Sequence, residues 1–309
     1  MLRPRTRFWL AALFLAVSVP GVPHPLHRAN YRADASLVEV TATVVDRQDR
    51  IVRGLQQSEF RLFEDGVEQK IQFLSEEDIP VSLAVVFDVS GSMSGRMAGA
   101  RTALRALLGT SNPADEFCLI TFADRPTIRA PWTSSPGDIA EGALYERSNG
   151  RTALLDAAEL ALREVRRRQN PRRAIVIFSD GGDNYSATTQ RGLWRILEEA
   201  DVQVYAVGVP DPNVRYERPA EEVVAGPNLL EELCGHAGGR YFFAQTPAEI
   251  EKATDRIGKE LRSQYILGFT PPDSARDGRF HHLQVKVVPL TKGPKLTVYW
   301  RPGYRAPNR

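Results

Sequence analysis

The sequence has few cysteines and little net charge. Only two cysteines, Cys118 and Cys234, occur among 309 residues, too few for a disulfide framework. Both fall in apolar surroundings, which favours two buried, unpaired thiols over a disulfide. The 40 Lys and Arg residues nearly balance the 38 Asp and Glu residues, for a net charge of +2. No nucleic-acid partner is therefore predicted.

A hydrophobic run long enough to cross a membrane is also missing at the N-terminus. Arg3, Arg5 and Arg7 precede an uncharged run over residues 8–19, which ends at Pro20. The run is shorter than the about 20 residues of a membrane-spanning helix. The pattern predicts a signal peptide over residues 1–24 and an exported protein, periplasmic, extracellular or attached to the cell envelope. An uncleaved N-terminal tether is the one membrane attachment left open.

The first part of the chain after this segment has the texture of β-structure. Residues 36–45 alternate apolar and polar side chains and are rich in β-branched residues, as expected of a strand. Asp65 and Gly66 separate two further alternating stretches, which is a strong hairpin signal. An N-terminal β segment is predicted over residues 36–76.

From residue 80 the pattern changes to strands alternating with helices. Residues 81–87, 174–178 and 202–207 are almost continuously apolar, as in strands buried on both faces of a parallel sheet. Helical stretches are predicted between and after them, over residues 96–108, 153–168, 192–200, 228–237 and 248–261. This alternation predicts an α/β domain with a doubly wound, mostly parallel sheet over residues 80–260.

The chain returns to β texture after this domain, over residues 263–305. Two β segments thus flank one α/β domain, and the edges of their strands need partners. We expect residues 263–305 to pair with residues 36–76. The fold class is therefore α/β, with a smaller β-sandwich-like module formed by the flanking segments.

Polar side chains collect where the predicted parallel strands end, the place where open α/β sheets bind ligands. Asp88, Ser90 and Ser92 follow the first of these strands, Asp180 follows the strand 174–178, and Thr152 precedes a helix. Two carboxylates and three hydroxyls, without thiol or imidazole, suit a hard cation. Mg²⁺ is the predicted metal, with Mn²⁺ or Ca²⁺ as alternatives. Nearby, Ser94 is predicted to cap a helix and Asp183 to form a turn.

These five residues resemble the metal ion-dependent adhesion site of the von Willebrand factor type A family. The resemblance covers about residues 80–260 and implies a related doubly wound fold. It further implies that Ser90, Ser92 and Thr152 supply hydroxyls, that Asp88 and Asp180 act largely through water, and that an acidic side chain of a partner protein completes the metal shell. The flanks, including 62–66, 265–269 and 301–304, look like a bacterial family of exported proteins related to it.

Other chemistries fit the first loop poorly. An EF-hand would need glycine and glutamate where Met93 and Gly99 stand, and a phosphatase of the haloacid dehalogenase type would need an aspartate at Ser90. No histidine lies near the serines as a general base, which argues against an enzyme. The leading hypothesis is a metal-dependent, adhesion-type protein-binding domain. The alternatives are an envelope scaffold with a non-essential metal site and a metal-assisted hydrolase.

Overall fold

The computed structural model describes residues 37–209, 225–272, 277–288 and 295–306. The predicted signal peptide, residues 1–24, lies outside these ranges. No helix within them is long and apolar enough to cross a membrane.

The secondary structure alternates as the sequence predicts, with β-strands at both ends and mixed strands and helices between. In chain order the strands in these ranges are β1 (Val38–Val45), β2 (Phe60–Glu64), β3 (Val67–Gln69), β4 (Phe73–Ser75), β5 (Val81–Asp88), β6 (Glu116–Phe122), β7 (Pro126–Thr133), β8 (Arg172–Ser179), β9 (Gln203–Gly208), β10 (Tyr241–Phe243), β11 (Tyr265–Phe269), β12 (Phe280–Val287), β13 (Thr297–Trp300) and β14 (Gly303–Arg305). The helices are α1 (Met97–Leu108), α2 (Pro136–Leu144), α3 (Leu154–Val165), α4 (Gln190–Glu199), α5 (Ala225–His236) and α6 (Pro247–Arg262).

The central sheet has six strands in the order β10-β9-β8-β5-β6-β7. All neighbours are parallel except β6 and β7. The chain starts in the middle at β5, runs outward through β6 and β7, and then returns to fill the other side from β8. Strand order therefore reverses between β5 and β8. In doubly wound sheets, ligands bind at this reversal point, outside the carboxyl ends of the strands.

Helices cover both faces of this sheet because β5 and its neighbours are apolar on both sides. On one face, Val85 and Phe87 pack with residues of α1, α2 and α6. On the other face, Ala84 and Val86 pack with α3, α4 and α5. All eight residues of β5 are buried, which explains the unbroken apolar run in the sequence. Cys118 and Cys234 are buried and unpaired, as predicted.

The flanking segments form two four-stranded sheets, in the orders β13-β1-β11-β4 and β14-β12-β2-β3. In the first sheet β1 pairs antiparallel with β11 and β13, and in the second β2 pairs antiparallel with β12. One apolar core lies between the sheets, with Phe60 and Tyr265 rings 5.0 Å apart. The predicted fold class, including the module built from both flanks, is confirmed.

Several local predictions differ from the structure. Helix α2 and strand β7 follow β6 and were not expected, since prolines interrupt the apolar pattern there. Ser94 does not cap α1, because a short 3-10 turn over Gly91–Met93 comes first and the N-cap is Arg96. The sequence also predicts that His281 and His282 open a surface strand, but His281 is buried within the module, where it contacts Asp65 and Asp277.

Candidate functional site

The first loop, residues 88–92, leaves the carboxyl end of β5 at the reversal point of the sheet. Asp88 is fully buried, and its Oδ1 accepts a hydrogen bond of 2.8 Å from the backbone N–H of Ser90. This bond folds the loop back over the strand end. The Oγ atoms of Ser90 and Ser92 then lie 3.0 Å apart, with Ser90 buried and Ser92 exposed.

The second loop, residues 149–152, is attached to the first by two backbone hydrogen bonds. The N–H of Gly91 donates to the carbonyl of Gly150 at 3.0 Å, and that of Asn149 donates to the carbonyl of Val89 at 2.9 Å. Gly150 has a φ of +85°, a conformation that side chains disfavour. The turn directs the chain into α3 and leaves Thr152 buried beside the first loop.

The third loop, residues 179–185, follows β8 and joins both of the others. The Ser179 hydroxyl donates to Asp88 Oδ2 at 2.5 Å. The Asn184 side chain accepts from the N–H of Thr152 at 3.0 Å, and the N–H of Asn184 donates back to the Thr152 carbonyl at 2.9 Å. Asp180 lies on this loop and is partly exposed. The structure thus brings together the three loops that carry the five predicted residues.

The Asp88 carboxylate has no cationic partner within the described chain. Burial raises its pKa to about 6, against the hydrogen bonds from Ser179 and Ser90, which lower it, and the nearby Asp180 carboxylate raises it further. Burying a carboxylate without an ion pair is unfavourable, because the charge loses its hydration. A cation entering between the three loops would remove this unfavourable interaction.

Asp180, by contrast, already has a cationic neighbour in the chain. The guanidinium of Arg96, which directly precedes α1, contacts Asp180 Oδ2 through Nη1. The Nε of the same side chain is buried without a hydrogen-bond partner among the described residues. Arg96 therefore contacts the site through Nη1, while its Nε makes no hydrogen bond to the described residues. Sequence reasoning missed this contact, which joins residues 84 positions apart.

The donor atoms fit the coordination of a small hard cation. Neighbouring oxygens around octahedral Mg²⁺, with metal–oxygen distances of about 2.0–2.1 Å, lie about 3 Å apart. The distance of 3.0 Å between Ser90 Oγ and Ser92 Oγ matches two adjacent ligands. The five predicted residues offer oxygen only, which suits Mg²⁺, Mn²⁺ or Ca²⁺ and disfavours zinc.

Neighbouring polar residues support the loops without belonging to the predicted set. Asp183 Oδ1 accepts from the N–H of Leu154 at 2.8 Å and thereby caps the first turn of α3. Asp124 Oδ1 accepts from the N–H of Arg151 at 2.8 Å, which holds the second loop. Asp124 follows β6, so its position just beyond a strand was the signal that could have identified it. Ser179 likewise ends β8.

The histidines in the described ranges lie away from these loops. His236, at the end of α5, stacks on Trp194 with the rings 4.7 Å apart. His281 and His282 belong to β12 in the β module. His24 and His27 lie outside the described residues.

Comparison with known proteins identifies the family of the central domain. The family model for the von Willebrand factor type A domain matches residues 83–182, which contain all five predicted site residues. The central part of the chain therefore carries a von Willebrand factor type A domain. No curated protein matches the sequence.

Several solved structures are similar to this chain. A von Willebrand factor type A structure from Catenulispora acidiphila has a TM-score of 0.50 and 12% identity, over 88% of this chain and 74% of that chain. The conserved hypothetical protein BatB from Bacteroides thetaiotaomicron has a TM-score of 0.47 and 20% identity, over 59% of this chain and 100% of that chain. The vWF domain of the pili tip protein Mfa5 from Porphyromonas gingivalis has a TM-score of 0.47 and 12% identity, over 59% and 94%. At these identities the likeness concerns the fold alone.

Proposed function

We propose that the protein is an exported, divalent-cation-dependent binding protein, which captures an acidic group of a partner protein at the three loops. The observation that carries the proposal is the buried Asp88 carboxylate, which has no cationic partner in the described chain and lies beside the hydroxyl pair of Ser90 and Ser92. Export rests on the pattern of residues 1–24 alone.

The five residues have distinct roles in this proposal. Ser90, Ser92 and Thr152 hold the cation through neutral hydroxyls, while Asp88 and Asp180 bind its water ligands. A bound Mg²⁺ supplies positive charge and an open coordination position for an incoming carboxylate oxygen. Because three of the direct ligands are uncharged, much of the positive charge stays available to the partner.

Binding fits the loops better than catalysis does. A serine nucleophile needs a neighbouring base that takes its proton. The hydroxyl of Ser90 contacts that of Ser92, and the histidines of the described residues lie on α5 and β12. An exposed Ser92 at the mouth of the site is instead suited to a ligand arriving from outside.

Thermal unfolding during a titration with Mg²⁺ tests the proposal. The wild-type melting temperature should rise, with a stabilisation of about 2.7 kcal/mol when the free Mg²⁺ concentration is 100 times its Kd. The double variant Ser90→Ala, Ser92→Ala should lose this response. A matched double variant, Ser94→Ala with Ser134→Ala, should keep it, because both of these serines are exposed and lie outside the predicted set.

The outcomes separate the alternatives. An unchanged wild-type melting curve across the titration would contradict the cation site, and a response that the Ser90, Ser92 double variant retains would place the cation elsewhere. Partner capture from an envelope extract that is insensitive to both chelator and the double variant would favour an envelope scaffold. Phosphoester or peptide turnover that disappears in Asp180→Ala would favour a metal-assisted hydrolase.

A further inference from the structure

An arginine stacked on a tyrosine stands at the rim of the three loops. Arg151 directly precedes Thr152, and its guanidinium carbon lies 4.6 Å from the centre of the Tyr185 ring. Both residues are exposed, Tyr185 to 47%. The pair therefore joins the second and third loops on the solvent side of the site.

Backbone contacts fix the position of both residues. The N–H of Arg151 donates to Asp124 Oδ1 at 2.8 Å, and the preceding Gly150 holds the turn with its positive φ. The N–H of Tyr185 donates to the carbonyl of Thr152 at 3.1 Å. Arg151 is thus held directly before Thr152 in the chain, and Tyr185 is hydrogen-bonded to Thr152 itself.

The guanidinium of Arg151 has no carboxylate partner within the described residues. Other arginines of this region have carboxylate partners, Arg96 in Asp180 and Arg129 in Glu146. No carboxylate of the described ranges forms an ion pair with Arg151, and Asp124 contacts its backbone instead. A guanidinium held over an aromatic ring at cation–π distance still has N–H donors, and these match the two oxygens of a carboxylate.

We propose that Arg151, oriented by Tyr185, is a second anchoring point beside the cation site, and that the partner presents two acidic side chains in one segment. One carboxylate completes the shell of the cation, and the other pairs with the Arg151 guanidinium. The inference rests on the proposed function and specifies its partner as an acidic peptide segment.

Selection from random peptides displayed on phage tests this pairing. The purified protein is immobilised in Mg²⁺, and bound phage are released with a chelator. Peptides selected by the wild type should share two acidic residues, whereas those selected by Arg151→Gln should share only one. The control Arg163→Gln removes the same charge from an exposed position further along α3 and should select the same peptides as the wild type.

Synthetic peptides then measure the second contact directly. Replacing the second acidic residue of a selected peptide by its amide should weaken wild-type binding about tenfold or more, since hydrogen bonds to charged groups are the strong ones. The same replacement should leave binding to Arg151→Gln unchanged. Tyr185→Phe should bind as the wild type does, because the ring is retained, and Tyr185→Ala should lose part of the discrimination between the two peptides.

Two failures are distinguishable. If the wild type yields no peptides released by the chelator, the proposed function itself is wrong. If chelator-released peptides carry a single acidic residue, or if Arg151→Gln discriminates between acid and amide as the wild type does, the cation site stands and the second anchoring point is wrong.

Discussion

Two buried carboxylates at opposite ends of the α/β domain differ in the side chains that they contact. Glu260, on α6 near the β module, has a fully buried side chain and contacts Arg240 and Arg256, the latter at 2.8 Å from its Nε. Asp88, at the carboxyl end of β5, is also fully buried but contacts only a backbone N–H and a hydroxyl.

The difference separates a structural charge from one that awaits a ligand. Burial alone would lower the pKa of Arg240, but Glu260, Tyr299 and Asp49 together outweigh burial and raise that pKa. Arg240 also reaches Asp49 at 2.9 Å, in the turn after β1. Burial raises the pKa of Glu260 even so, against the two arginines, which lower it. The Glu260 charge nevertheless has cationic partners within the chain, and through Arg240 it helps to join the module to α6. No cationic side chain of the described residues pairs with Asp88, and in the proposed function its charge is balanced by a cation from outside.

The largest predicted difference is between variants that remove one of the two carboxylate charges, compared in the presence of a chelator. Glu260→Ala should lower the free energy of unfolding by about 3–5 kcal/mol, because Arg240 and Arg256 lose their buried partner and keep only the more exposed Asp49. Asp88→Asn should be neutral or stabilising, since the amide can accept from the Ser90 N–H and donate to the Ser179 oxygen without a buried charge. Denaturant unfolding of both variants measures this. Similar losses of unfolding free energy in the two variants would contradict the distinction between the two carboxylates.

The contact between Arg96 and Asp180 offers an intermediate test. Because Arg96 is a cation on a proposed site carboxylate, it should compete with Mg²⁺ for the site. Arg96→Met should tighten Mg²⁺ binding about tenfold, which corresponds to about 1.4 kcal/mol, as measured by calorimetric titration. Arg105→Met, on the exposed face of the same helix, is the control. Weaker Mg²⁺ binding in Arg96→Met would show that the guanidinium supports the loops instead of competing.

The smallest predicted effect concerns His281, whose charge near the carboxylates of the β module depends on pH. In the β module, the His281 ring contacts Asp65 at 2.8 Å and Asp277 at 3.1 Å, and it faces Glu64 and stacks on Tyr304. Burial alone would lower the pKa of His281, but Asp277, Asp65 and Glu64 outweigh it and raise the pKa above 6.5.

A raised folded-state pKa means that the protonated ring stabilises the fold at low pH. This contribution is fully present below the unfolded-state pKa of about 6.5 and is lost as pH rises through the higher folded-state value. The free energy of unfolding should therefore fall by on the order of 1 kcal/mol from pH about 6 to pH about 9. His281→Gln should flatten this change. An equal slope in wild type and variant would show that other groups cause it.

Most of the fold could be predicted from the sequence because its signals are local. Each signal reflects the environment of the residues that carry it. Examples are the continuous apolar run of β5, the alternation in β1 and the Asp65-Gly66 turn. Strand β7 and helix α2 were missed because prolines begin or interrupt them, and tertiary packing on β6 decides their structure. The buried position of His281 likewise depends on carboxylates distant from the strand pattern, Asp65 directly after β2 and Asp277 three residues before β12.

The loops of the site were predictable for a topological reason, and their interior contacts were not. Parallel strands bring their carboxyl ends to one edge, so Asp88 and Asp180 had to be neighbours in any doubly wound fold. Arg96 carries no comparable signal, since an arginine before a helix reads as solvated. The contact of Arg151 with the Tyr185 ring equally depends on the three-dimensional path of two loops, since the two residues are 34 positions apart in the sequence.

The insertion of the α/β domain between two halves of the β module has a mechanical consequence. The chain leaves the module after Ser75, at the end of β4, and returns to it at Tyr265, at the start of β11. Ser75 lies opposite Ile266, the residue after Tyr265, in the ladder between these two strands. Tension applied between β1 and β14 is therefore carried by the module and its core. The three loops would feel no stretch until that core ruptured.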